Sequence, residues 1–314
     1  MAYTNTDTNM TTSSGLSAGM QTYYNRELLR TFEPNLVHLQ FGDEHRMPPH
    51  SGLVMNMRKL IPLETNTKAL SEGDPGESVM LAETEVTVQL QQYGEYARCT
   101  DKLDLTHLDM DIMRRTKLFG DAGARSIDAV VREELAKCAN VIYANGKTSR
   151  ASLTAADKLT SKELRKAVKA LKKNHAQTFG GYFVAIIGPD TMYDLQEDDA
   201  FVKVSQYQDK ENIYTGEVGR LFGVRLVETT EAKIFEGKGA SGADVASVIV
   251  LGQYAYGVTS LKGAKPRVIV KPAGSAGTAD PLDQISTVGW KMDGFGAKLL
   301  QPEYAVRIEC GFSA

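Results

Sequence analysis

The residues whose types could do chemistry gather first between positions 38 and 50, where HLQFGDEHRMPPH supplies His38, Asp43, Glu44, His45 and His50. Imidazoles and carboxylates are ligands for zinc, and a metal held there would activate a bound water. The spacing argues for less: no H-E-x-x-H or comparable pair is present, so a polar surface loop is the plainer reading. A metal-dependent enzyme centred on residues 38–50 stays as an alternative. NGKTS at 145–149 resembles the tail of a phosphate-binding loop, but that motif needs a glycine where Val141 stands and a strand where the periodicity gives a helix. PAGSAG around Ser275 has Ala273 in place of the first glycine of a nucleophile elbow. Gly216, Gly219 and Gly223 do not make G-x-G-x-x-G. The pairs Asp109 with Asp111 and Asp198 with Asp199 have neither a calcium-loop glycine nor a partner base. Cys99, Cys138 and Cys310 lie far apart without C-x-x-C spacing and read as buried thiols. The expectation is a chain with no catalytic residue, no metal and no cofactor, whose elaborate architecture serves a structural role.

Composition narrows the class. At 314 residues the chain is long enough for two or three modules or one discontinuous domain, and its 42% hydrophobic content provides a sizeable core. A net charge of -3 argues against a protein whose main task is gripping nucleic acid. MAYTNTDTNMTTSSG lacks the basic and apolar regions of a secretion signal, and no apolar run reaches the ~18 residues of a membrane span. A cytosolic setting without a membrane partner is expected.

The elements that must position these residues follow in order. Residues 1–17 read as a flexible polar arm, and Tyr23, Tyr24, Leu28, Leu29 and Phe32 fall at helical spacing up to Pro34. A Gly/Pro turn, Gly73, Asp74, Pro75 and Gly76, lies between strand-like arms in which Val86, Val88 and Leu90 alternate with polar residues, so an extended hairpin is predicted. Ile127, Val130, Val131, Leu135, Cys138 and Val141 recur at three and four residue steps and predict a long helix, with a break near Gly120 and Gly123 and a stop at Asn145-Gly146. SKELRKAVKALKKNH predicts a second helix capped by Ser161, and its lysines, not interleaved with aromatic residues, read as a solvated face. YFVAIIG predicts a buried strand and Pro189 the first turn of a helix; GRLFGVRLVETT, ASVIVLGQYAYGVTS and KPRVIVKP each predict a strand. The class is α+β.

Three pieces in order, SKELRKAVKALKKNHAQTFGGYFVAIIGPDTMYDL, GEVGRLFGVRLVETTEA and VIVLGQYAYGV, resemble the A-domain of tailed-phage major capsid proteins of the Hong Kong 97-type fold. DPLDQISTVGWKMDGFGAKLLQPEYAVRIE is similar to the C-terminal segment of the N4-like major capsid proteins. The resemblance implies an N-terminal arm over 1–60, an extended E-loop hairpin and return strand over 61–105, a P-domain spine helix within 106–149, an A-domain over 150–282 and a returning P-domain strand over 283–314. Within 106–149 the spine helix is expected from about Ala124 to Tyr143. Trp290, the only tryptophan, would then anchor the returning strand in the core, with its neighbouring glycines forming tight turns, and the turn at Gly73, Asp74, Pro75 and Gly76 would serve assembly.

The function implied is that of a bacteriophage coat protein. It would associate with itself as hexamers and pentamers in an icosahedral virion capsid, assembled in the host cytoplasm, enclosing double-stranded DNA without reading its sequence. Portal, scaffolding and decoration proteins are the further partners the resemblance implies. An encapsulin-like compartment shell, or another phage structural component, is the alternative within the same class.

Overall fold

The computed structural model describes residues 36–48, 50–60, 83–102, 112–198, 220–261, 266–275 and 280–313, with isolated positions between 67 and 81. The expected arm and first helix, and Asp74, Pro75 and Gly76 of the expected turn, lie outside the described residues. Strands and helices combine into two sheets, a separate hairpin and three α-helices among the described residues.

The first sheet has five strands. Its backbone is β13 (Ile285–Leu299), flanked on one side by β11 (Tyr256–Leu261) and β12 (Arg267–Lys271) and on the other by β4 (Gln91–Thr100). β1 (Asp43–Met47) lies parallel to β11, with Asp43 opposite Gly257 and Met47 opposite Leu261. The second sheet runs β5 (Val141–Tyr143), β14 (Ala305–Cys310), β10 (Val245–Leu251), β6 (Phe183–Ile187), β8 (Val224–Glu228), β7 (Arg220–Leu221), with β9 (Ile234–Phe235) also on β10. β6, β10 and β14 are buried along their whole length, and β6 is the continuous apolar run that a strand covered on both faces requires.

The twofold alternation of a strand divides β6 between two cores. Phe183, Ala185 and Ile187 face one cluster, filled by Leu164, Ala167, Val168 and Leu171 of α2 (Ser161–Lys173) and by Met192 and Leu195 of α3 (Pro189–Gln196). Val184 and Ile186 face the other, shared with Ala124, Ile127, Val131 and Leu135 of α1 (Ile112–Leu135) and with Tyr256, Val258, Trp290, Met292 and Phe295 of the five-stranded sheet. Each of the valine, leucine, isoleucine, phenylalanine and methionine side chains among them contributes roughly 1.5–3 kcal/mol when fully buried.

Several expectations need correction. α1 runs through Gly120 and Gly123 without a break and stops at Leu135, so a helix reaching Tyr143 is not formed. Val141–Tyr143 instead pairs in parallel with β14, Val141 opposite Arg307. The helical spacing reads on through Cys138 because Cys138 is buried in the same cluster as the helix. Asn145 and Gly146, with φ of 53° and 70°, turn the chain after β5. Thr160, one residue before the expected Ser161, is the N-cap of α2. The Ser161 N–H donates to Asp198 Oδ2 at 2.7 Å, so a carboxylate beyond α3 supplies the acceptor. ASVIVLGQYAYGVTS forms two strands, β10 and β11, in different sheets, with Tyr254 at φ 61° in the turn between them. Likewise residues 283–314 do not return to one layer: β13 lies beside β4, and β14 crosses to the seven-stranded sheet, where it pairs with β10 and β5 and all six of its residues are buried.

His38 departs furthest from its reading as part of a surface loop. It is 1% exposed. Its backbone N–H donates to Asp128 Oδ1 at 2.7 Å, its Nδ1 lies 2.5 Å from Asp128 Oδ2, and its carbonyl accepts the Tyr256 hydroxyl. Burial, and then the Asp128 charge, push the Tyr256 hydroxyl above its ordinary range, keeping it a donor. Three elements, the turn before β1, α1 and β11, thus meet in one closed polar knot. Asp128→Ala leaves the His38 donors without acceptors in a dry site, at a cost of about 3 kcal/mol. The expected result is a lower urea midpoint and fast exchange of the His38 amide, with Asp128→Asn, which retains one acceptor, less affected.

Candidate assembly surface

β2 (Val54–Leu60) and β3 (Glu83–Gln89) pair antiparallel from Val54 opposite Gln89 to Leu60 opposite Glu83; β3 lies within the range expected of the hairpin, whereas β2 falls in the range expected of the N-terminal arm. Among the described residues the root of this hairpin is fastened to the body. Met57, Val88 and Leu90 are buried, and Lys59 Nζ meets Glu303 Oε2 at 2.8 Å. That ammonium holds the Glu303 carboxyl below its usual range against the opposing effect of burial. The root sits where the first sheet lacks side chains: a Cβ on Gly257 would lie 2.7 Å from Met57 Sδ, and one on Gly296 2.8 Å from Val88 Cγ1. Apolar groups face solvent at both ends of the ladder: Leu53 and Val54, beside the root, are 62 and 52% exposed, and Met80 and Leu81, ahead of β3, are 90 and 77% exposed.

A groove of about 650 Å³ opens on the first sheet over β4, β13 and β12. The register places Tyr96, Gly289 and Ile269 in one row and Arg98, Thr287 and Lys271 in the next. Gly289 forms the floor between two exposed apolar walls, Tyr96 and Ile269. The guanidinium of Arg98 lies over the Tyr96 ring, 5.7 Å from its centroid. Arg98, Lys271 and Lys291 set three cations against Glu95 and Asp280 in the lining. The surface therefore suits an extended segment with apolar side chains and carboxylates.

The glycines around Trp290 do different work from the turns expected of them. Gly289 is extended within β13; its Cβ would lie 2.7 Å from Tyr96 Cβ and 2.5 Å from the Glu95 carbonyl oxygen, so glycine there admits β4 at close range. Only Gly294, at φ 76°, bends the strand, where the register shifts between Met292 and Phe295. Trp290 itself stands opposite Glu95 and Val268 and is 3% exposed, in the core shared with α1.

The other predicted residues are scattered. Gly73 has φ 85°, and its three turn neighbours are not described. Asp43 and His45 pair at 3.0 Å, Glu44 pairs with Arg46 at 3.0 Å, and His38 is turned into the core, so the loop does not converge on one point. The Arg46 hydrogen bond lowers the Glu44 carboxyl. Among the described residues no three His, Cys, Asp or Glu side chains lie together as metal ligands, and no helix is long and apolar enough to cross a membrane.

A polar anchor that sequence reasoning missed fixes β14. Glu309, fully buried, receives Arg150 through two hydrogen bonds of 2.8 and 2.6 Å, and Arg307 Nε lies 2.9 Å away. Arg150 also stacks 3.5 Å from the centroid of Phe235 on β9, and pairing with Glu309 raises its guanidinium pKa. Arg307 and Glu309 alternate with Val306 and Ile308 in sequence, the one signal that this strand has a polar inner side.

No curated protein matches the chain. Its fold is shared with solved capsids: that of Ralstonia phage GP4 superposes with a TM-score of 0.68 at 15% identity over 100% of this chain and 98% of that one. The capsid of cyanophage P-SCSP1u gives 0.66 at 16% identity over 87% of each chain. A virus-like particle from Pyrococcus furiosus gives 0.53 at 12% identity over 92% of this chain and 99% of that one. A family model described as phage capsid protein matches residues 83–308, from β3 through Ile308 of β14 and so through both sheets and all three helices, and this chain belongs to the phage capsid protein family.

Proposed function

We propose that this capsid shell protein is the major capsid protein of a tailed bacteriophage, of N4-like type, and that hexamers and pentamers of it close an icosahedral shell around double-stranded DNA. The observation that carries the reading is the hairpin, fastened at its root yet exposing Met80 and Leu81 beyond it. Such a hairpin makes physical sense laid across a second copy. The groove over Gly289 is a complementary seat: residues 61–85 contain Glu64, Glu72, Asp74, Glu77, Glu83 and Glu85 against Lys68, and the groove offers Arg98 and Lys271 beside its exposed apolar walls. In this reading β2–β3 and the turn at Gly73, Asp74, Pro75 and Gly76 form the E-loop. The five-stranded sheet with α1 forms the P-domain, and the seven-stranded sheet with α2 and α3 forms the A-domain. Trp290 anchors the return of the chain to the P-domain. Portal, scaffolding and decoration proteins are its further partners, and assembly takes place in the host cytoplasm.

Closed symmetry makes many modest contacts simultaneous and raises their effective concentration, so no single interface needs to be strong. No step of this function is catalytic. Electron microscopy of the purified protein, with and without the assembly factors of a phage lysate, is the test: rings or closed shells are expected, and uniform small particles in every condition would sink the proposal. A compartment shell is the second reading, favoured by the likeness to the Pyrococcus particle. Nuclease-protected DNA inside particles from infected cells supports the phage reading, and a protein cargo supports the other.

A further inference from the structure

Helix α2 holds Lys162, Arg165, Lys166, Lys169, Lys172 and Lys173 in thirteen residues, against one acidic residue, Glu163. The whole chain has 36 basic and 39 acidic residues, so the helix is a local reversal of its charge. At 3.6 residues per turn the six cations fall within about a third of the circumference, opposite the buried Leu164, Ala167, Val168 and Leu171. Glu163 is itself buried, in contact with the Thr160 hydroxyl, and its one ion pair is with Lys166 at 3.7 Å. Lys162, Arg165, Lys169, Lys172 and Lys173 are exposed and form no ion pair among the described residues. Arg165 rests over Phe222, 5.0 Å from the ring centroid, in the turn that leads to the exposed Arg225 of β8.

This arrangement is unfavourable within the subunit. Cations three and four residues apart repel along the stripe, and Lys162 sits in the first turn, where the helix dipole disfavours positive charge. A partner with closely repeated negative charge would offset both effects. The stripe is about 17 Å long at 1.5 Å per residue. Over that length duplex DNA presents roughly ten phosphates. No aromatic residue of α2 lies among the cations, and the half-buried Phe222 ring is already taken by Arg165, so the surface offers no row of free rings for unstacked bases.

We propose that this face of α2 contacts the phosphate backbone of the enclosed double-stranded DNA without reading its sequence. The proposal rests on the shell reading above and adds an orientation to it: α2 faces the lumen. The test uses the full chain and a labelled 30-base-pair duplex of random sequence, with binding followed by fluorescence anisotropy across a salt series. Lys162→Gln/Lys169→Gln/Lys172→Gln keeps helix propensity while removing three charges. Its affinity at low salt is expected to fall at least about tenfold, and the slope of log K against log salt to flatten by roughly 2 to 3, at about 0.9 per lost phosphate contact. A control with Lys137→Gln/Lys147→Gln/Lys238→Gln removes the same charge elsewhere and is expected to retain the wild-type slope. No binding by the wild type, binding by the α2 variant equal to wild type, or an equal loss in the control overturns the proposal. Particle formation is scored in parallel by electron microscopy. The α2 variant should assemble as the wild type does, and failure of both to form particles strikes the shell reading, separately from the DNA contact.

Discussion

A chain lacking residues 70–82 is expected to fold and to form no shells. The contacts that fasten the hairpin, Met57 against Gly257, Val88 against Gly296 and Lys59 with Glu303, all lie outside the deletion, and so does the whole β2–β3 register. The subunit's own cores therefore lose nothing. What is removed includes Met80 and Leu81, both exposed in their own subunit, and the acidic residues Glu72, Asp74 and Glu77. Circular dichroism and the urea midpoint should stay near wild type while electron microscopy finds no closed particles. Normal shells from the truncated chain would overturn the assignment of the hairpin to assembly.

Trp290→Ala should have the largest effect on the subunit itself. Truncating a buried tryptophan costs about 3–5 kcal/mol. Domains are stable by only about 5–15 kcal/mol in total. Trp290 bridges β13 to α1 through Ile127 and Val131 in the shared core, so the cavity would open where the first sheet meets the helix. Because this is the only tryptophan, unfolding is better followed by circular dichroism than by fluorescence. An unchanged urea midpoint would show that the indole does not anchor the core. Trp290→Phe, which fills most of the space, is expected to fall between.

Strands whose signal is local were legible in the sequence. Phe183–Ile187 is apolar throughout and bounded by glycines, Pro189 sets the start of α3, and the alternation at Val86, Val88 and Leu90 matches the burial of β3 and the residue after it. Features set by distant partners were not. Nothing near Val141 distinguishes a strand from the continuation of a helix; its pairing with Arg307 decides it. Gly289 and Gly296 read as turn residues because glycine is permissive, whereas neighbouring strands require it there for want of room. His38 reads as a loop histidine until Asp128, ninety residues on, is brought beside it. The candidate assembly surface was half legible: β3 shows in the alternation, its partner β2 lies in residues expected of the arm, and the groove exists only once β4, β12 and β13 are in register.

The double crossing of the chain between its two sheets has a consequence for synthesis. β10 and β14 belong to one sheet, β11 and β13 to the other, and the long-range pairs include Val141 with Arg307 and Asp43 with Gly257. On the ribosome, the first sheet cannot be finished until the chain has emerged through Leu299, nor the second until Cys310, since β13 and β14 each pair with strands on both edges. Until then the nascent protein carries β4 and β10 each with an edge that waits for its partner strand, and pairings of such sequence separation form slowly. A coat protein made in many copies at once would therefore pass through its most adhesive state during translation, before any contact with another copy is wanted.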